Sequence, residues 1–159
     1  MKDGLLKRRL VRPVRLLLQQ GVTPERMALS LTLGVVLGIF PVLGTTTVLC
    51  AVAAVVLKLN LPAIQIVNYF LYPVQIALLI PFFRLGELVF RAPHFPVSVA
   101  QIREMAHVSV WNTVQRLWTT TWHAIVVWGL LAPVAAGIFY CLLKPVLRRA
   151  LPAARPPVV

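Results

Sequence analysis

Acidic residues are almost missing from this chain, which has four Asp and Glu against sixteen Lys and Arg. General acid–base catalysis usually needs a pair of positioned carboxylates, and so few acids argue against that chemistry. The three histidines lie far apart in the sequence, without the spacing of metal ligands. A phosphate-binding loop and a dinucleotide fingerprint are also missing. We therefore predict a protein that is not an enzyme and that holds no metal and no cofactor.

Charge of either sign is absent over long stretches. Lys58 is the only Lys, Arg, His, Asp or Glu in residues 27–83, and His123 is the only one in residues 117–143. Such runs are typical of transmembrane helices, since about 20 helical residues cross a hydrocarbon core of about 30 Å. The sequence predicts an all-α integral membrane protein.

Basic residues concentrate at the ends of these apolar runs. Residues 1–26 contain seven Lys and Arg with two acids, and residues 144–159 contain four with no acid. The positive-inside rule then predicts a multi-pass protein with a cytoplasmic N-terminus. A nucleic-acid binder would show a basic face with interleaved aromatics on a soluble fold, so we predict no nucleic-acid partner. Anionic lipid headgroups are the expected partners of six arginines: Arg8, Arg9, Arg12, Arg15, Arg148 and Arg149.

The sequence divides into three parts. Residues 1–22 form a basic amphipathic arm, either a short helix on the membrane surface or a plain basic flank of the first span. Residues 23–146 form the membrane domain. Residues 147–159 form a basic, proline-rich tail without periodicity, which we predict to be disordered.

The first apolar run, residues 24–57, is too long for one span, because a straight helix of that length would measure about 50 Å. It contains the stretch GIFPVLGTTT, in which Pro41 removes a backbone donor and Gly44 permits unusual dihedral angles. We predict two half-helices, residues 24–39 and 46–57, joined by a tight turn. In lipid this turn would be the tip of a re-entrant hairpin, surrounded by protein.

The rest of the chain supplies further helices. Residues 59–83 begin with an Asn60 cap and break again at Pro73. Residues 98–118 start with a capping box and have the pattern of an interfacial amphipathic helix, with tryptophans that favour the headgroup level. Residues 119–143 have the composition of a plain spanning helix, stopped by a Lys-Pro pair.

Small residues share one face of the first half-helix, where they recur every four positions and let another backbone approach closely. That backbone belongs either to the same chain, which we favour, or to a second copy. Together with the helix breakers these residues form a predicted helix-break and packing set: Ser30, Gly34, Gly38, Pro41, Gly44, Pro62 and Pro73.

An uncharged polar set lies in the same apolar region: Thr45, Thr46, Thr47, Asn60, Gln65, Asn68 and Gln75. One interpretation is structural, with Thr45 and Asn60 capping helices and the amides bonding to carbonyls freed near the prolines. The other is functional, with broken helices aiming their ends at a buried polar cavity, as in transporter sites. The helix N-terminus near Thr46 would then suit an anionic headgroup. We expect the four amide side chains of this set, Asn60, Gln65, Asn68 and Gln75, to point inward and to meet near the two helix-breaking prolines, Pro41 and Pro73.

Residues 24–90 resemble the DUF2062 family, small membrane domains of bacteria. The matching features are a Pro-led helix with two glycines, an aromatic-Pro turn closing on Gly44, a threonine-rich restart and a Leu-Asn-x-Pro start to the next helix. The family usually has an Asn-Pro pair near Asn68, whereas this chain has its proline later, at Pro73. The resemblance implies an inner-membrane protein of the bacterial envelope, in a family sometimes fused to glycosyltransferases of lipid-linked sugar synthesis.

Two functions are compatible with these features. The first is a non-enzymatic envelope protein that binds or moves a lipid-linked or anionic substrate through a broken-helix core. The second is a structural adaptor that packs against envelope enzymes, or against itself as a homo-oligomer, through the small-residue face. For the topology we favour two crossings plus one hairpin, with residues 84–116 outside and both ends cytoplasmic. The rival topology makes residues 59–90 re-entrant too.

Overall fold

The computed structural model describes residues 23–96 and 98–150, and every regular element within them is an α-helix. In chain order these helices are α1 Pro24–Gly38, α2 Thr46–Val56, α3 Leu61–Phe70, α4 Tyr72–Phe90, α5 Val99–Val108 and α6 Val110–Ala150. The all-α prediction is confirmed for this part of the chain. The predicted N-terminal arm, residues 1–22, lies outside the described residues.

Two helices start with side-chain caps, and the cap at Asn60 is one that the sequence predicts. The hydroxyl of Thr23 accepts a hydrogen bond from the backbone N–H of Arg26 at 3.3 Å, at the start of α1. The side-chain oxygen of Asn60 accepts one from the N–H of Ala63 at 2.9 Å, at the start of α3. These bonds satisfy donors that the first turn of a helix leaves unpaired.

Two other predicted caps are not formed by side chains. Thr45 holds the N-cap position of α2, but its hydroxyl donates to the carbonyl of Val42 at 3.0 Å. Its backbone is already helical, with φ −90° and ψ −20°, and not in the extended conformation that side-chain capping needs. Ser98 precedes α5 without a side-chain capping bond.

The predicted half-helices are present as α1 and α2, an antiparallel pair whose ends lie within one residue of the expected ones. Gly44, in the turn between them, has a φ of +83°, in the left-handed region that favours glycine. At the open end of the pair, the guanidinium of Arg26 donates to the carbonyl of Lys58 at 3.5 Å. The chain therefore leaves and returns at the same end.

α3 runs beside α1 and fills its small-residue face. A Cβ atom on Gly34 would lie 2.9 Å from the carbonyl oxygen of Ile64 and 2.9 Å from the Cβ of Val67. A Cβ atom on Gly38 would lie 3.4 Å from the Cα of Asn68. Helices approach this closely only where small residues permit it. The partner of the small-residue face is thus a helix of the same chain.

α4 starts at the break predicted near Pro73 and packs antiparallel to α6. Phe82 packs against Ala124. Further along α4, a Cβ atom on Gly86 would lie 3.0 Å from the Cβ of His123. Gly86 is therefore a point of close contact between α4 and α6.

α6 is longer than predicted. It has 41 residues, where separate helices over residues 98–118 and 119–143 were expected. The predicted interfacial helix is split at Ser109, which has an extended backbone with φ −161°. The change in hydropathy near residue 119 alters what surrounds the helix but does not break it, because residues 98–128 contain no proline or glycine.

The last turn of α6 extends past the predicted stop. Pro145 lies inside the helix, so residues 147–150, which were assigned to the disordered tail, are helical. Arg148 forms an ion pair with Glu25 at 2.7 Å, which holds this turn against the start of α1. Hydrogen bonding from Arg148 lowers the pKa of Glu25. Residues 151–159 lie outside the described residues.

These contacts give the molecule two ends. The basal end holds the start of α1, Lys58 and the last turn of α6. The distal end holds the end of α4, the loop of residues 91–96 and α5. Among the described helices, α4 and α6 are long and apolar enough to cross a membrane, judged by length and composition.

Candidate functional site

The turn between α1 and α2 leaves backbone carbonyls outside both helices, and Gln75 of α4 binds them. Its amide Nε2 lies 2.8 Å from the carbonyl oxygen of Phe40 and 3.4 Å from that of Val42. Gln75 is 1% exposed and Pro41 is fully buried, so these bonds form away from solvent. The amide takes the place that water would have at an exposed turn.

Trp128 of α6 covers the same turn from another side. Its indole Nε1 donates to the carbonyl of Val36, in the last turn of α1, at 3.1 Å. Its ring meets that of Phe40 edge to face, with centroids 4.8 Å apart. The last turn of a helix has carbonyls without helical partners, and Trp128 satisfies one of them.

A second polar group joins α3 to the start of α2. The amide Nε2 of Gln65 donates to the carbonyl of Thr47 at 2.9 Å. Nδ2 of Asn68 lies 3.4 Å from the hydroxyl of Thr47 and 3.3 Å from Oε1 of Gln65. Thr46, the first residue of α2, is buried. These bonds fix the first turn of α2 on α3.

Asn60 lies apart from both groups, at the basal end of α3. Its backbone N–H donates to the hydroxyl of Ser30 at 3.0 Å, and that hydroxyl donates to the carbonyl of Arg26 at 2.8 Å. Pro62 follows in the first turn of α3. The prediction that all four amides meet near Pro41 and Pro73 is wrong for Asn60. The whole length of α3 separates Asn60 from the break between α3 and α4 at Pro73.

The amides of α3 and α4 therefore hold the broken-helix core together. Gln65 and Gln75 bond to backbone carbonyls of the turn region, and Asn68 bonds to neighbouring side chains. Among the described residues, the buried side-chain atoms without a partner are Oε1 of Gln75 and the hydroxyl of Thr32. For the amides this arrangement fits the structural interpretation of the polar set, whereas Thr45 does not cap α2 with its side chain.

A cavity of about 700 Å³ lies at the distal end, between α5, the first half of α6 and the loop of residues 91–96. Its volume is in the range of small-molecule sites. Arg116 and two histidines give it groups that donate hydrogen bonds to an anion. Its polar lining includes His94, Asn112, Thr113, Gln115, Arg116 and His123.

Glu87, in the last turn of α4, holds one wall of this cavity. The side chain is 3% exposed, and Oε1 accepts a hydrogen bond from the backbone N–H of Phe95 at 2.7 Å. Oε2 lies 2.9 Å from Nη1 of Arg84 and 2.6 Å from Nδ1 of His94. A buried carboxylate needs such pairing, because an isolated buried charge is very costly.

Phe90, three residues after Glu87, stacks on His123 with ring centroids 4.2 Å apart and an interplanar angle of 9°. Glu87 contacts the other cavity histidine, His94. One turn of α4 thus contacts both histidines of the cavity.

A family model described as an uncharacterized protein conserved in bacteria, DUF2062, matches residues 5–154. The chain belongs to the DUF2062 family. The match extends beyond residues 24–90, on which the resemblance was recognised, and it includes every segment that lines the cavity. No curated protein and no solved structure matches this DUF2062 chain.

Sequence reasoning missed the cavity of this DUF2062 chain. A signal was nevertheless present at Glu87, one of only four acids, which lies in an apolar helix three residues after Arg84. That spacing places two side chains side by side on a helix. Within residues 23–96 and 98–150, no three His, Cys, Asp or Glu side chains are grouped as metal ligands would be.

The arginines predicted to meet anionic headgroups are only partly described. Arg148 and Arg149 lie in the last turn of α6 at the basal end, where Arg148 is paired with Glu25. The other four, Arg8, Arg9, Arg12 and Arg15, lie outside the described residues.

Proposed function

We propose that this DUF2062 protein is an integral protein of the bacterial inner membrane that binds the phosphate-bearing headgroup of a lipid and performs no chemistry of its own. The observation that carries the proposal is the cavity, which Arg116, His94 and His123 line next to the apolar helices α4 and α6. A guanidinium and two imidazoles suit a phosphate because they offer several hydrogen-bond donors to one anion.

The surfaces of α4 and α6 support a place in the bilayer. Within the most apolar 18 residues of α4, only 22% are buried by the protein. For the most apolar 18 residues of α6 the share is 6%. An apolar helix of a soluble protein would bury most of this surface. Large apolar side chains such as Leu130, Val134 and Leu142 face outward instead, as expected where lipid surrounds them.

The lengths of α1 and α2 favour a re-entrant hairpin. The 15 residues of α1 measure about 22 Å, which is short of a hydrocarbon core of about 30 Å. The turn of the pair lies against Gln75, in the first turn of α4 where α3 leads into it, and against Trp128, in the middle of α6. Lipid offers no hydrogen bonds, so a turn at this depth depends on such partners.

In the proposed topology α3 and α4 together make one crossing and α6 makes the other. Their basal ends hold Lys58 and the basic last turn of α6, so the positive-inside rule places that end in the cytoplasm. The cavity then faces the outer side of the inner membrane. The distal arginines, which weigh against this orientation, have roles there: Arg84 bonds to Glu87 and Arg116 lines the cavity.

Two tryptophans support placing the cavity at headgroup depth. Trp118 and Trp122 are 70% and 56% exposed, on the stretch of α6 that lines the cavity. Tryptophan favours the headgroup level of a bilayer. A phospholipid of the outer leaflet could therefore present its phosphate to Arg116 while its acyl chains lie along α4 and α6.

The proposal places the ligand in the cavity and not in the broken-helix core. The amides of that core are bonded to the hairpin, which leaves them little capacity for a substrate. The adaptor hypothesis has lost its main support, because α3 fills the face formed by Gly34 and Gly38.

Native mass spectrometry of protein released from nanodiscs of phosphatidylcholine and phosphatidylglycerol tests the proposal. We expect Arg116→Gln to weaken phosphatidylglycerol binding about tenfold, through loss of a charge-assisted contact. Arg103→Gln is the matched control, because Arg103 is exposed on α5 and does not line the cavity. Equal lipid retention by Arg116→Gln and Arg103→Gln would refute the cavity as the binding site.

Inorganic phosphate separates a lipid ligand from a soluble one. We expect phosphate in molar excess to leave phosphatidylglycerol bound, since phosphate has no acyl chains to contact α4 and α6. Displacement of the lipid by phosphate would instead identify a soluble phosphate compound as the ligand.

A further inference from the structure

We propose that Glu87 is a positioning residue of the cavity and that an anionic headgroup binds there together with protonation of His94. This inference rests on the proposed headgroup binding. It adds that Glu87 orders the cavity wall before the ligand binds and that His94 must be protonated for binding.

Glu87 determines which nitrogen of His94 is left for a ligand. An ionised carboxylate only accepts hydrogen bonds, so Nδ1, which lies 2.6 Å from Oε2, must carry a hydrogen. Nε2, on the opposite side of the ring, is the nitrogen that a ligand can reach. The side chain of His94 is 83% exposed and lines the cavity, so access to it is open.

The charge state of His94 determines what Nε2 can do. In a neutral ring with its hydrogen on Nδ1, Nε2 carries a lone pair and cannot donate to a phosphate oxygen. In the imidazolium ring Nε2 also donates, and the positive charge attracts the anion. A headgroup phosphate at Nε2 therefore binds with one proton, which His94 takes from solvent.

The same turn of α4 orders the rest of the cavity wall. The bond from the Phe95 N–H to Oε1 of Glu87 anchors the loop, and the Phe95 side chain is 4% exposed. Phe90 stacks on His123. Both histidines are thus held in place before a ligand arrives, which reduces the ordering cost of binding.

Few charged groups surround His94, so its contribution to the pH dependence of binding can be tested by substitution. α4 presents Glu87 and Arg84, α6 presents Arg116 and His123, and α5 lines the cavity with side chains that do not titrate. Arginine stays charged throughout. Histidine is the side chain that changes charge between about pH 5 and about pH 8.

The pH dependence of phosphatidylglycerol binding in nanodiscs tests the proposal, because this phosphodiester keeps a single negative charge over that range. We expect the wild type to bind more weakly as the pH rises from about 6 to about 8, when histidine loses its proton. Glu87→Gln keeps an acceptor for the Phe95 N–H but removes the charge. The variant should bind phosphatidylglycerol about tenfold more weakly near neutral pH, and its pH profile should differ from that of the wild type, because the carboxylate that keeps a hydrogen on Nδ1 of His94 is gone.

Glu104→Gln is the matched control for this variant, because Glu104 is an exposed acid of α5 that does not line the 700 Å³ cavity. We expect its affinity and its pH profile to equal those of the wild type. A Glu87→Gln protein with the wild-type affinity and the wild-type pH profile would overturn the proposal.

A second variant keeps the proposal testable if Glu87→Gln fails to fold. The exposed side chain of His94 can be removed without opening the core, so His94→Ala should fold, bind more weakly and show a smaller pH dependence, the remainder coming from His123. His107→Ala, on α5 away from the cavity lining, should retain both properties. A His94→Ala protein with the wild-type pH profile overturns the coupling, whereas a wild type that retains no lipid refutes headgroup binding itself.

Discussion

At the residue scale, Gln75 shows how a buried amide replaces water at a break in a helical backbone. It lies in α4, yet its Nε2 reaches the carbonyls of Phe40 and Val42, which precede it by 35 and 33 positions. A leucine would fill a similar space and leave both carbonyls without this donor. Each carbonyl would keep one other donor, the N–H of Val42 for Phe40 and the hydroxyl of Thr45 for Val42. In an apolar surrounding, water would not replace the bond that Gln75 supplies.

We expect Gln75→Leu to lower the free energy of unfolding by about 1–2 kcal/mol, since hydrogen bonds in membrane proteins contribute about 0.6 kcal/mol on average and two contacts are lost. Thermal unfolding in mild detergent measures the change. Gln101→Leu, at an exposed position of α5, serves as the control with an expected effect near zero. If both variants unfold at the same temperature, the bonds from Gln75 do not contribute to stability.

At the element scale, the contact between α1 and α3 decides how the hairpin sits in the molecule. The two helices meet at Gly34 and Gly38. At Gly34 there is no room for a Cβ atom, whereas at Gly38 a Cβ atom would be in van der Waals contact with Asn68. α6 has two glycines without close neighbours, since a Cβ atom on Gly129 or Gly137 would face open space. The chain therefore contains its own comparison between a packed and an unpacked glycine.

We expect Gly34→Ala to destabilise the protein by about 1–3 kcal/mol, because the added Cβ overlaps Ile64 and Val67 and forces α1 away from α3. Gly137→Ala should be neutral or stabilising by up to about 1 kcal/mol, since alanine favours the helix. Unfolding temperatures in detergent give both values. A Gly34→Ala protein as stable as Gly137→Ala would contradict the close packing.

The helix ends of residues 23–96 could be predicted from the sequence because they depend on local backbone chemistry. Pro24, Gly44 and Asn60 act on their own residue or on the adjacent turn, so the type of residue is enough. The junction between α5 and α6 was missed, although Ser109 is a common type of N-cap residue. The expected boundary near residue 119 rested on hydropathy, which reports the surroundings of a helix and not its continuity.

The candidate site could be predicted only in part. Amides inside an apolar run must be buried and bonded, so the sequence was sufficient to predict that Gln65, Asn68 and Gln75 bond within the protein. The cavity depends on tertiary structure, since Glu87, His94 and Arg116 come from three segments. None of these residues stands in a periodic pattern, and their proximity is visible only once α4 and α6 are packed.

At the scale of the whole molecule, the two ends differ in what their basic residues contact. At the basal end, Arg26 bonds to the carbonyl of Lys58, and Arg148 pairs with Glu25. At the distal end, Arg84 serves a buried carboxylate. In the proposed orientation the basal charges follow the positive-inside rule, and two of the distal arginines belong to the cavity, Arg84 through Glu87 and Arg116 through its lining.

Reporter fusions test this orientation directly. We expect a fusion at Pro93 to report the outer side of the membrane and a fusion at Pro152 to report the cytoplasm. The same pair of fusions in a Lys58→Gln background should keep these signals, because the many basic residues of the chain termini still set the orientation. A cytoplasmic signal at Pro93 together with an external one at Pro152 would overturn the proposed topology.

The bonds from α6 to α1 also have a consequence for the order in which the protein is made. Trp128 and Val36 are 92 positions apart, and Arg148 and Glu25 are 123 apart. The side-chain hydrogen bonds within the unit of α1, α2 and α3 join residues much nearer in the sequence; Gln65 and Thr47, for example, are 18 positions apart. This unit can therefore assemble early during synthesis. The carbonyl of Val36 and the face of Phe40 stay uncovered until the ribosome has added the last helix. A chain that ends before Trp128 would keep its hairpin but lack the helix that covers it.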